Sequence, residues 1–196
     1  MTEINLEEFT KFAKVKDIWK YCTNDEKGLH EFLNNVVMNM DECNNGLYGK
    51  MLPDLSDIYV LISNKDFPFD KLIINQKISI DLSVAEKNFV LGYIWIDSYV
   101  LKYEGCIPYH LISFIDSRIS GLNISKYMIK KYEEQCEEET YLFPFEIGLG
   151  VEKYWRKYFM EKYEIKNKTE LSQMITEFGF KEHDIRWEAL FLAFEM

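Results

Sequence analysis

His110-Leu-Ile-Ser-Phe-Ile-Asp-Ser-Arg118-Ile-Ser-Gly121-Leu-Asn123-Ile-Ser-Lys-Tyr-Met-Ile-Lys130 decides the fold, because it passes from an apolar, strand-forming run through a short polar loop into a helix-period pattern. Within the loop Arg118, Gly121 and Asn123 fall at the spacing R-x-x-G-x-N. The backbone N–H groups of Ser120, Gly121, Leu122, Asn123 and Ile124 can converge there with the positive end of a helix dipole, and Gly121 permits the close approach that a Cβ blocks. The junction therefore suits a phosphate or pyrophosphate, with Arg118 adding charge. Read as an ordinary strand-to-helix turn, the same residues relieve strain (Gly121), cap the helix (Asn123) and meet solvent (Arg118).

Working outward, short β-rich runs precede the loop: Ile58 to Ile62, Leu72 to Ile74, Ile78 to Leu82, Phe89 to Leu101 and Tyr109 to Ile115. The run from Phe89 to Leu101 carries bulky residues on both faces, which predicts a central strand, and Gly92 marks a bulge or a close backbone approach. Before these, Leu6 to Cys22 repeats apolar residues at three- and four-residue intervals and predicts a helix. A second helix follows over Leu29 to Met40, and 44–54 is loop by composition. After the loop come a helix from about Asn123 to Glu137, a short strand over Tyr141 to Ile147 that Pro144 assigns to an edge or an irregular position, and a helix from Val151 to Tyr163. Asn167-Lys-Thr-Glu170 forms a capping box before Leu171, Met174, Ile175 and Phe178, and Trp187, Leu190, Phe191 and Phe194 fit a last helical stripe, with a final strand as the alternative. The order gives an α/β (α+β layered) fold with a mixed, mostly antiparallel central sheet flanked by helices and a helical C-terminal extension.

The 196 residues, 47% hydrophobic and 16% aromatic, suffice for one domain spanning 1–196. No apolar run approaches the roughly 20 residues of a membrane span, and the N-terminus lacks a secretory pattern, so a cytoplasmic protein is expected. Four cysteines and three histidines are scattered without disulfide-scaffold or zinc-site spacing, so no metal is expected. A net charge of −10, with acids massed from Glu133 to Glu139, argues against nucleic acid as a partner and favours a cationic one. Tyr93, Trp95, Tyr99 and Tyr103 alternate on a strand as sheet packing, although such a surface also suits a cationic substrate. G-x-S-x-G and Walker motifs are absent.

The loop and its surroundings resemble the GNAT superfamily of acyl-CoA-dependent N-acetyltransferases, whose motif [Q/R]-x-x-G-x-[G/A] lies between the fourth strand and the next helix. Here Arg118-Ile-Ser-Gly121-Leu-Asn123 takes that place, and Tyr154-Trp-Arg-Lys-Tyr-Phe159 corresponds to the family's aromatic helix. The resemblance covers about 57–160, leaving 161–196 as the extension. Two features depart from the pattern: Asn123 stands where the family has Gly or Ala, and no first strand is predicted ahead of the N-terminal helices.

The resemblance implies that acetyl-CoA is the acyl donor, held at its pyrophosphate by Arg118, Ile119, Ser120, Gly121, Leu122, Asn123 and Ile124. It further implies that the fourth and fifth strands splay, freeing backbone groups near Phe114 and Ile115 for the pantetheine arm. Tyr154 matches the family's acid, with Tyr158 one turn later as the alternative. His110, Asp116 and Glu146, on or beside the two strands, are candidate bases. The acceptor would be an amine-bearing small molecule or peptide. The alternative is a protein of the same fold that binds without transferring. Residues 161–196 are open to three uses: completing the sheet, capping an acceptor pocket or forming a homodimer contact.

Overall fold

A computed structural model describes residues 4–14, 56–73, 90–99, 109–117, 119, 121–136, 141–144, 147, 151–178 and 188–195. In chain order the elements are α1 (Leu6–Phe9), β1 (Thr10–Lys14), β2 (Ser56–Ser63), α2 (Phe69–Ile73), β3 (Val90–Tyr99), β4 (Tyr109–Ser117), α3 (Ile124–Gln135), β5 (Tyr141–Pro144), α4 (Glu152–Lys162), α5 (Lys168–Glu177) and α6 (Glu188–Glu195). The strands follow the order β1-β2-β3-β4-β5 in one sheet. β1 with β2 and β2 with β3 are antiparallel, whereas β4 with β5 is parallel. The mixed, mostly antiparallel α/β fold and the helical C-terminal segment match the sequence reading.

Two elements correct it. Leu6 to Cys22 is not one helix: α1 ends after a single turn and the chain enters β1, pairing Thr10 with Ser63 through Lys14 with Tyr59. The i, i+3 spacing of Phe9 and Phe12 mimics a helix, but β2 is apolar on both faces and requires a partner on its outer edge. A first strand therefore precedes the remaining N-terminal residues. Of the strand expected over Leu72 to Ile74, Leu72 and Ile73 are instead helical, the end of Phe69–Ile73, which is opened by the Lys71 N–H bond to the Pro68 carbonyl (3.1 Å) with Asp70 in its first turn; Ile74 lies outside the described residues. Pro68 just ahead of an acid is a helix-start signal. The readings at 29–40, 44–54 and 78–82, and the part of the first helix beyond Lys14, lie outside the described residues.

The chain divides into two compact units: 1–97 with 114–139, and 98–113 with 140–196. In the first, Val60, Leu61, Ile94 and Ile96 are fully buried. The register between β2 and β3 slips between Leu61, opposite Gly92, and Ile62, opposite Val90, so Leu91 is the extra residue of a bulge beside Gly92. Tyr59 stacks on Phe12 (5.3 Å) and meets Tyr132 of α3 edge-on (5.2 Å), which places α3 over the face carrying Tyr59. Tyr93 and Trp95 are buried, which makes them sheet packing; Tyr103 lies outside the described residues.

The second unit is built on aromatic rings. Phe143 of β5 contacts Tyr109 of β4 (5.9 Å), Phe159 of α4 (6.0 Å), Tyr163 (5.9 Å) and Phe178 after α5 (4.9 Å). Because β4 and β5 pair Tyr109 with Tyr141 through Ile112 with Pro144, the rings of Tyr109, Tyr141 and Phe143 share one face, and α4 packs on it. Among the described strands β5 ends the order, one of the two positions that Pro144 allows. α5 begins at a variant of the anticipated capping box: Asn167 Oδ1 accepts the Glu170 N–H (3.0 Å), while the Glu170 carboxylate reaches one residue past the cap to the Lys166 N–H.

Candidate functional site

The loop after β4 is shaped by residues that the sequence marks as special. Ser117 Oγ donates to the Ile119 carbonyl (2.7 Å), turning the chain at the strand end. Ile119 and Ile124 are each 1% exposed and pin the two ends of the loop into the core, leaving Gly121 and Asn123 on the surface. Gly121 has φ 84° and Asn123 φ 54°, ψ 33°, both in the left-handed region. Glycine enters that region freely, and asparagine does so more readily than other residues with a Cβ.

This conformation settles what Asn123 does. Asn5 before α1 and Asn167 before α5 sit in extended backbone and accept an N–H from the first turn of their helices. Asn123 occupies the same position before α3, yet in its left-handed geometry its side chain makes no cap, and only its carbonyl serves the helix, accepting the Tyr127 N–H (2.9 Å). The helix also lacks an acid in its first turn, whereas α2, α4 and α5 each carry one and α1 carries two. The N-terminus of α3 thus keeps its positive dipole end without compensation from its own cap residue or first-turn side chains.

Farther along α3, Lys131 Nζ donates to Glu7 Oε1 (2.8 Å) and Glu134 Oε2 (2.9 Å), while the Tyr127 hydroxyl donates to Glu7 Oε2 (3.0 Å). These bonds hold the Glu7 carboxyl below its usual range, Lys131 first and Tyr127 second, and Lys131 likewise lowers Glu134. Glu7 and Glu134 raise the Lys131 ammonium in turn, and burial raises the Tyr127 phenol. No sequence signal pairs Glu7 with a residue so distant.

Of the residues expected to hold the donor, Ile119, Gly121, Leu122, Asn123 and Ile124 form this loop and helix start, and Phe114 and Ile115 lie on β4 just before it, all in the first unit. Arg118 and Ser120 lie outside the described residues. β4 runs to Ser117, while its described pairing with β5 ends at Ile112 and Pro144.

Among the catalytic candidates, Asp116 lies on β4 in the first unit; His110, Tyr154 and Tyr158 belong to the second, and Glu146 lies outside the described residues. His110 is half-buried and pairs in register with Leu142, so strand alternation puts it on the face opposite Tyr109 and Phe143, away from the face on which α4 packs. The structure does bring Tyr154 and Tyr158 together, stacked at 6.4 Å on the half-buried side of α4 and each edge-on to Trp155 (5.2 and 5.3 Å). Tyr154 stands in the first turn of α4, and the Lys162 ammonium lies 5.8 Å from the Tyr158 ring centre.

Among the described residues no helix is long and apolar enough to cross a membrane, and no cluster of three or more His, Cys, Asp or Glu is placed to hold a metal ion. No family model, curated protein or solved structure matches the chain.

Proposed function

We propose that the chain is a cytoplasmic acyl-CoA-dependent N-acyltransferase that moves an acetyl group from acetyl-CoA to a primary amine by direct attack. The observation that carries this reading is the start of α3: Asn123 and Gly121 are both left-handed, the Asn123 side chain leaves the helix uncapped, and the first turn holds no acid. An asparagine that declines to cap leaves first-turn N–H groups for an exogenous anion. Further support comes from the element order, in which a strand, this loop, a helix, a short parallel strand and an aromatic helix follow one another. The first strand β1 removes one of the two departures from the resembled family. The second, Asn123, occupies a left-handed site of the kind glycine usually fills.

In this reading the loop from Arg118 to Ile124 holds the pyrophosphate, and backbone groups near Phe114 and Ile115 receive the amide-rich arm. The acceptor nitrogen attacks the thioester carbonyl, a C–N bond forms, the C–S bond breaks and the amine proton is lost. His110, Asp116 or Glu146 takes that proton directly or through water. The departing thiolate receives one from Tyr154, with Tyr158 as the alternative donor.

The test is release of free coenzyme A thiol from acetyl-CoA in the presence of a panel of primary amines, compared with a Tyr154→Phe variant. Amine-dependent release, lowered roughly 100-fold in the variant, is the expected result. Binding of acetyl-CoA with no release for any amine would instead identify a protein of this fold that binds without transferring.

A further inference from the structure

The Tyr163 hydroxyl accepts the Leu142 N–H (2.7 Å) and donates to the Leu142 carbonyl (3.1 Å), so one phenol engages both backbone groups of a residue in β5. Leu142 is 0% exposed, and neither group can turn to water in the phenol's place. The single proton of the phenol is committed to that carbonyl, which makes Tyr163 an anchor and not a proton donor. Its backbone is held as well: Tyr163 ends α4, where its N–H and that of Ile165 both bond to the Phe159 carbonyl (3.0 and 3.3 Å). The ring stacks on Tyr141 of β5 (5.5 Å, 21°) and stands edge-on to Tyr158 of α4 (5.8 Å, 85°). Tyr158 in turn stacks on Tyr154 (6.4 Å). A path of three rings therefore leads from an anchored hydroxyl to the two candidate proton donors, all within the second unit.

We propose that Tyr163 is a positioning residue for acyl transfer: anchored on Leu142, it sets where Tyr158 and Tyr154 stand and does not itself touch the reacting atoms. The inference rests on the acyl-transfer reading. Tyr163→Phe keeps the ring but leaves the Leu142 N–H and carbonyl unpaired in the core, so β5 or the end of α4 must shift to satisfy them. A displacement of about 1 Å at a reacting group slows a reaction by up to roughly 100-fold. The loop proposed to hold acetyl-CoA belongs to the first unit and has no part in this anchor.

The test measures amine-dependent thiol release by the full-length chain, by Tyr163→Phe, and by Tyr163→Phe combined with Tyr154→Phe or with Tyr158→Phe, each checked for folding by circular dichroism. The expected result is a kcat about 10- to 100-fold lower in Tyr163→Phe with KM for acetyl-CoA unchanged. Since a positioning residue acts only through the group it positions, adding Tyr163→Phe to the variant that lacks the proton donor should slow it no further. A folded Tyr163→Phe with the parent kcat would overturn the inference. So would a loss confined to KM, or a loss that adds in full to those of both Tyr154→Phe and Tyr158→Phe. If Tyr163→Phe does not fold, 3-fluorotyrosine placed at position 163 alone keeps the ring and the hydroxyl but ionises at lower pH. The kcat of that chain should then fall at a lower pH than the parent's, and a pH profile identical to the parent's would overturn the inference. A parent that releases no thiol with any amine would overturn the acyl-transfer reading and this inference with it, whereas an active parent with an indifferent Tyr163→Phe would overturn this inference alone.

Discussion

The Tyr127 hydroxyl donates to Oε2 of Glu7 at 3.0 Å, tying α3 one turn beyond the candidate loop to the turn of helix near the N-terminus. Lys131 takes the other oxygen of the same carboxylate at 2.8 Å, so both Glu7 oxygens are engaged. Since these bonds lower the Glu7 pKa, with Lys131 the larger cause, Glu7 stabilises the fold above the ordinary carboxylate range. That stability is lost as pH falls through the lowered value. Thermal unfolding across acid pH should therefore show a steeper decline for the parent than for Glu7→Gln. Parallel declines would mean that the bond contributes nothing in solution, as many exposed pairs do.

Asn123 should respond to substitution as a left-handed residue and not as a cap. Asn123→Gly is expected to change stability little, whereas Asn123→Val should cost about 1–2 kcal/mol, the penalty of forcing a Cβ-bearing residue into that region. Urea unfolding measures both. Acetyl-CoA affinity should persist in Asn123→Gly, since the loop geometry is kept.

Asn167 makes the opposite case. Its side chain accepts the Glu170 N–H at 3.0 Å, so Asn167→Ala should cost about 1 kcal/mol in the same denaturation assay. No loss for Asn167→Ala would contradict the side-chain cap at this helix start.

Glu164 is the other non-glycine residue with positive φ among the described residues. Its backbone ends α4 where glycine is usually found, so Glu164→Gly should stabilise the chain by about 0.5–1 kcal/mol. A melting temperature unchanged or lowered by that substitution would argue against the left-handed turn.

Much of this was legible in the sequence where local and global preferences agree. β3 could be read from bulky residues on both faces, with Gly92 marking a bulge or a close approach; Pro144 narrowed β5 to an edge or an irregular position, and the start of α5 followed from Asn167 and Glu170. Where they conflict, periodicity misled: Phe9 and Phe12 look helical, but the exposed edge of β2 claims Thr10 to Lys14 as a strand. Leu72 and Ile73 look like strand residues, but Pro68 and Asp70 start a helix. At the candidate site Gly121 and Asn123 marked the turn, but the left-handed backbone that keeps Asn123 from capping is set by how Ile119 and Ile124 are held in the core. The Glu7–Tyr127 and Leu142–Tyr163 bonds carried no sequence signature, because each depends on the packing of elements distant along the chain.

Calorimetric titration decides whether the stretch from Arg118 to Ile124 holds the pyrophosphate of acetyl-CoA, as proposed. Acetyl-CoA is titrated into the purified chain and into an Arg118→Glu, Gly121→Trp variant shown to be folded by circular dichroism. Saturable binding to the parent and none to the variant is the expected result. A folded parent that takes up no acetyl-CoA, or a variant that binds it as well as the parent, would contradict it.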